Sequence, residues 1–332
     1  MSILSDYFTD IASAIREKNP DALEMRPELM DGVINELEGE ADPEWVATML
    51  PTSAFWRSVI YGAGKFVAVG YSVSTAQSTD GTNWATPWYS YMPSSAEWNS
   101  VTYGADKFVA VSTRWGTTGS DKAAYSTNGI KWTAATMPSS AQWCSVTYGA
   151  GKFVAVASGT TTAAYSSDGI TWTATTMPSS AKWYSVTYGA GKFVAIATNS
   201  DKIAYSTDGI NWVAATLSSS ANWRSITYGA GKFVAVAGSY AKAVYSSDGI
   251  NWTDTTLPSS EYWESVAYGN GKFVAVAYTS SAAAYSIDGI NWTAATLPFI
   301  ADWQSVTYGA GKFVTVSYGT ERAALLDVTP NL

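Results

Sequence analysis

The chain repeats itself about every 40 residues, and few other features restrict a fold so tightly. The phrase W-x-S-[VI]-[TIA]-Y-G begins at Trp56, Trp98, Trp143, Trp183, Trp223, Trp263 and Trp303. The last four intervals are 40 residues each, and the first two are 42 and 45. Each unit continues through K-F-V-[AT]-[VI], a variable stretch, an A-[AV]-Y-S run and a phrase such as Ser166-Ser167-Asp168-Gly169-Ile170-Thr171-Trp172. Four short runs rich in Val, Thr, Tyr, Phe and Trp, joined by G-A-G-K and D-G turns, predict four antiparallel strands, a to d. Units of this length and strand count imply an all-β fold, a propeller of four-stranded antiparallel blades.

Counting the units predicts how the ring closes. Seven strand-a phrases are accompanied by six S-x-[DN]-G-x-x-W phrases, ending at Trp84, Trp132, Trp172, Trp212, Trp252 and Trp292. The seventh outer strand is found at the start of the repeat region, in Glu44 to Pro51, where Trp45 lies 11 residues before Trp56 as Trp132 does before Trp143. The last unit stops after strand c. The expectation is therefore a seven-bladed ring over 44–332, in which strand 44–50 completes the blade formed by 303–327. Such a closure removes two exposed strand edges.

Composition then narrows the chemistry. The chain has no His and one Cys, Cys144, so Ser-His-Asp and Cys-His catalysis, His- or Cys-ligated metal and an internal disulfide are excluded. A net charge of -8 argues against a nucleic-acid binder, and no stretch is long and apolar enough for a membrane span. Residues 1–44 carry 12 acids and 3 bases, so the remaining 288 residues are nearly neutral. Fourteen of the 16 Trp fall two per unit, leaving Trp88 and Trp115 outside the repeat. Neither a cofactor nor a metal is expected.

The S-x-D-G-x-x-W phrase resembles the Asp-box of the bacterial neuraminidase repeat, shortened by one residue between the Ser and the aromatic. The resemblance implies a propeller with the box on the c–d hairpin and a structural role for Asp80, Asn128, Asp168, Asp208, Asp248 and Asp288. A carboxylate or amide at that place can hold its own turn together. Residues 1–43 differ in kind: Ser5 can cap a helix reaching about Lys18, and Pro27 can open a second one. The run Ile11 to Lys18, followed by Arg26-Pro27-Glu28-Leu29-Met30, resembles the N-terminal segment of many phage and prophage tail proteins. This resemblance implies an attachment module for tail or baseplate proteins. It also implies synthesis in the bacterial cytoplasm without a signal peptide and a place on a virion tail or tail-like particle.

Comparing the units with one another locates the candidate site. They are nearly identical except beside the strand-a Trp and in the b–c loop. The flanking pairs are Phe55/Arg57, Glu97/Asn99, Gln142/Cys144, Lys182/Tyr184, Asn222/Arg224, Tyr262/Glu264 and Asp302/Gln304. The loops add Trp115, Tyr240 and Tyr278 among others. In an up-down blade both places emerge on one face, opposite the constant turns. Constancy of those turns also follows from their backbone geometry alone, which would leave the other loops free to drift. The candidate ligand-binding set is Arg57, Glu97, Asn99, Trp115, Lys182, Tyr184, Asn222, Arg224, Tyr240, Tyr262, Glu264, Tyr278, Asp302 and Gln304. Planar polar groups with rigid aromatics suit sugar hydroxyls and ring faces. The expected function is non-enzymatic recognition of a bacterial surface glycan or receptor. The alternatives are a structural tail or scaffold protein binding another protein, and a sialidase-like glycosidase. The last is disfavoured: Arg57, Arg114, Arg224 and Arg322 fall in different units, and no spacing pairs Glu97, Glu264, Asp302 or Glu321.

Overall fold

The computed structural model describes residues 44–88, 90–114 and 119–329. The two expected helices within 1–43, and Trp115, lie outside the described residues. Among those described there is no helix, and every repeat is an antiparallel meander. The fifth and sixth repeats are separate four-stranded sheets, the fifth comprising Trp223–Gly229, Lys232–Ala237, Lys242–Ser246 and Thr253–Thr256. At two other junctions the outer strand of one repeat runs without a break into the inner strand of the next, in Thr133–Gly149 and Thr173–Gly189. Strand Trp45–Gly62 does the same across the two ends of the repeat region. Its residues 45–49 pair antiparallel with 326–322, and its residues 58–62 pair with 69–65.

Burial falls from the inner strands outward. Strand b is buried on both sides, Phe233 to Ala237 being buried without interruption. This explains why K-F-V-A-V-A lacks the polar alternation of a half-exposed strand. Strand d is mostly exposed, as Thr253–Thr256 illustrates. All seven strand-a Trp side chains have no exposed surface and pack between sheets. Each inner strand lies beside the inner strand of the next repeat, and the seventh lies beside the first. Seven hydrogen bonds of 3.0–3.2 Å run around this cycle. The Ser two places after each Trp accepts from a backbone N–H of the following repeat, from Ser58 to Val101 N and finally from Ser305 to Val59 N.

The near-constant Y-G-A-G-K phrase does two jobs. Gly149 pairs with Lys152, leaving a two-residue turn, Ala150-Gly151, with φ of 45° and 73°. This is the left-handed pair that a tight hairpin requires. The first glycine serves packing instead: a Cβ on Gly149 would lie 2.0 Å from Cγ of Tyr188 in the next repeat. The same approach recurs around the ring and closes with Gly309 against Tyr61.

The S-x-D-G-x-x-W phrase is a closed hydrogen-bonded turn. Asp208 Oδ1 accepts from the backbone of Ile210 and Asn211 at 2.8 Å and from Ser206 Oγ at 2.9 Å. Ser206 Oγ in turn accepts from Gly209 N. Burial opposes ionisation of Asp208, but these donors prevail and hold its carboxyl well below the usual range. Asn128 keeps the same pattern with an amide oxygen, accepting from Ile130 and Lys131.

One expectation needs correction. Among the described residues the first repeat has no regular outer strand: its strand c, Thr75–Ser78, shares a backbone bridge with the following segment only at Gln77–Ala85. From Trp84 to Pro93 there are three more residues than from Trp132 to Pro138, and Pro87 brings no N–H to a ladder. Isolated bonds hold this segment instead, Thr75 Oγ1 to Ser90 O and Met92 N to Val73 O among them.

Candidate functional site

The side chain after each strand-a Trp is placed by a backbone irregularity. In the fifth repeat Trp223 pairs with Ala237 and Ser225 with Val236, so Arg224 has no partner across the strand pair. The same shift occurs between Trp and Ser in all seven repeats. Each is a β-bulge, which adds one residue to a strand and re-aims its side chain. The seven bulged residues are Arg57, Asn99, Cys144, Tyr184, Arg224, Glu264 and Gln304. They line one cavity of about 110 Å³ together with the seven ring serines. The constant part of W-x-S thus builds the ring, and its variable residue faces the middle.

Two arginine clusters dominate this mouth. Arg57 donates from Nη1 to Gln304 Oε1 at 2.7 Å and from Nη2 to Tyr71 Oη at 2.8 Å. Its guanidinium lies 4.5 Å from the Tyr318 ring centre, and Phe55 packs at a tilt on the same Tyr318 at 4.7 Å. The Arg224 guanidinium lies over the rings of both Tyr184 and Tyr262, at 4.8 and 4.7 Å from their centres. Its Nε lies 3.6 Å from Glu264 Oε2, while Tyr184 donates to Glu264 Oε1 at 3.2 Å. Burial raises the Glu264 carboxyl above its ordinary value, opposed by Arg224. Burial, with the Glu264 charge second, also raises the Tyr184 phenol, and burial pushes the Cys144 thiol up to about 12, so neither is a ready nucleophile. Asn99 donates to the Cys144 carbonyl at 2.7 Å.

The other candidates lie outside this lining. Asn222 donates to Tyr262 Oη at 2.9 Å and accepts from Thr198 Oγ1. Tyr262 and Tyr278 pack at 5.8 Å, and Asp302 accepts from Thr279 at 2.9 Å. Tyr240 is 85% exposed and Lys182 is exposed. Glu97 is elsewhere, lining a separate cavity of about 580 Å³ with Tyr71, Arg114 and Lys122. Arg322 also stands apart, donating to the Ile300 carbonyl over the Phe299 ring. Among the described residues Glu264 is the one carboxylate lining the central cavity, so that cavity holds no carboxylate pair for glycoside hydrolysis. The sequence reading missed Tyr71 and Tyr318 as partners of Arg57. Their signal was an aromatic residue at corresponding places in the b–c loops of the first and last repeats.

No protein-family model matches the chain, and no curated protein matches it in sequence. Solved structures similar to it include virginiamycin B lyase from Staphylococcus aureus, at 10% identity and TM-score 0.75, covering 86% of this chain and 99% of that one. YCF48 bound to D1 peptide is similar at 15% identity and TM-score 0.67, covering 87% and 96%. The WD40 β-propeller domain of Doa1 is similar at 12% identity and TM-score 0.66, covering 86% and 98%. The chain therefore has a β-propeller fold. These neighbours differ in what they do, and the fold does not choose among them.

Proposed function

We propose that the chain is a seven-bladed propeller that binds a bacterial surface glycan, without catalysis, through the face holding the bulge cavity and its rim. In this reading residues 1–43 attach it to a phage tail or tail-like particle. The observation supporting it is the division of labour within the repeat. Seven bulges hold a constant scaffold and aim seven side chains of six kinds at one place. Around them Tyr240, Tyr262 and Tyr278 offer rigid apolar faces, and Asn222, Lys182 and Asp302 offer hydrogen-bonding groups. Such a surface suits sugars, whose hydroxyls need planar polar partners and whose C–H faces need aromatic cover. Many copies on one particle would turn weak single-site binding into strong attachment.

The test is whole-cell and glycan-array binding by the full chain, with Tyr240→Ala and Tyr278→Ala as rim variants. Binding that falls at least tenfold in the double variant, with an unchanged melting curve, is the expected result. Binding only to purified tail components, with none to cells or glycans, overturns the proposal in favour of a scaffold role.

A further inference from the structure

The two arginines of the cavity are occupied differently. Arg57 has both terminal nitrogens engaged, by Gln304 and Tyr71. Arg224 meets Glu264 only along its Nε edge, and among the described residues its two terminal nitrogens donate no hydrogen bond. Its plane is held by Tyr184 and Tyr262, yet its side chain keeps 18% of its surface. A guanidinium packed against two tyrosine rings, with its terminal fork unfilled, is prepared for a two-oxygen acceptor.

Charge and size define that acceptor. The lining carries Arg57, Arg224 and Glu264, which leaves one net positive charge. A monoanion balances it, whereas a dianion would also meet Glu264. A cavity of about 110 Å³ is a few water volumes at about 30 Å³ each, too small for a pyranose ring but sufficient for an acid group. The ring would remain outside, against Tyr262 and Tyr278. We infer that Arg224 receives the carboxylate of an acidic sugar, with Arg57 supplying the field that draws it into the cavity. This inference rests on the glycan reading above and names the class of sugar.

The experiment follows the Nε–H signals of Arg57 and Arg224 by NMR in the full chain, during titration with sodium glucuronate, acetate, glucose and inorganic phosphate. Glucuronate and acetate should shift the Arg224 signal saturably, and glucose should not. Arg224→Gln should weaken glucuronate binding at least tenfold with an unchanged melting curve. If that variant fails to fold, Arg224→Lys, which keeps the charge and loses the fork, should show the same weakening. An unmoved Arg224 signal, variant affinity within twofold, or phosphate binding tighter than acetate overturns the assignment. Cell binding retained in Arg224→Gln overturns it while leaving the glycan reading intact. Glucuronate binding by a chain that binds no cell or glycan supports the carboxylate site and overturns the adhesion reading instead.

Discussion

Two glycines only two positions apart should respond very differently to the same change. In Gly149→Ala the new Cβ would sit 2.0 Å from Tyr188 Cγ and 2.5 Å from both Cδ atoms. Ordinary carbon contacts begin near about 3.4 Å, so the ring or strand must yield by over about 1 Å. The ring cannot yield freely, because Tyr188 packs on Phe193 at 4.7 Å between ring centres. Overpacking of this kind costs about 3 kcal/mol, the upper end of its usual range. Gly151 sits at φ 73°, but a Cβ there meets nothing within 4 Å. Gly151→Ala should therefore cost only the left-handed strain, about 1 kcal/mol. Equilibrium unfolding in guanidinium chloride, followed by Trp fluorescence, measures both. A double variant with Tyr188→Ala should be less destabilised than the sum of its parts, since the clashing ring atoms are gone. A larger loss for Gly151→Ala, or strict additivity in the double variant, would refute the packing argument.

The hairpins invite improvement: Ala63, Ala150, Ala190, Ala230 and Ala310 all hold φ between 45° and 48°. Replacing each with Asn should stabilise by some tenths of a kcal/mol to about 1 kcal/mol, read as a higher denaturation midpoint. The aspartates of the S-x-D-G-x-x-W turns contribute stability that is full above the unfolded carboxylate pKa and is lost as pH falls towards their depressed folded values, about 2 for Asp288. Asp→Asn at all five should keep the turns, as Asn128 does, and move acid unfolding to lower pH; an unchanged acid transition would count against this. Ser185→Ala leaves Ile226 N without its acceptor in the ring and should cost about 1–2 kcal/mol, measured by the same denaturation.

Strands and the tight turns between them were legible because each is a local pattern repeated many times. The pairing of Trp45 to Met49 with the last strands was legible too, since a missing seventh phrase could be counted. The bulge was not. It is a register shift between two strands, and neither strand shows it alone; its trace was an unconstrained residue inside an otherwise constant W-x-S. The first glycine of Y-G-A-G-K was hidden for a similar reason, since its demand comes from a tyrosine about 40 residues away. The extra length after Trp84 announced an irregularity, but repetition suggested a strand that Pro87 and the insertion prevent. Within the candidate site, faces could be read from topology. The Arg–Tyr clusters join residues of different repeats, and no local pattern specifies which neighbours meet.

The pairing of 45–49 with 322–326 also sets a clock. The two partners are about 280 residues apart, so at ribosomal rates of about 5–20 residues per second one waits roughly fifteen seconds to a minute for the other. During that time Trp45 and Leu50, both buried in the finished ring, have no partner to cover them, and strand 45–49 is an open edge. Internal repeats can form their meanders as they are made, but the last hydrogen bonds of the ring, Ser305 to Val59 included, must wait for the end of the chain. A translational delay placed anywhere between residues 50 and 322 should therefore lower the yield of soluble protein, whereas the same delay placed before residue 45 should not.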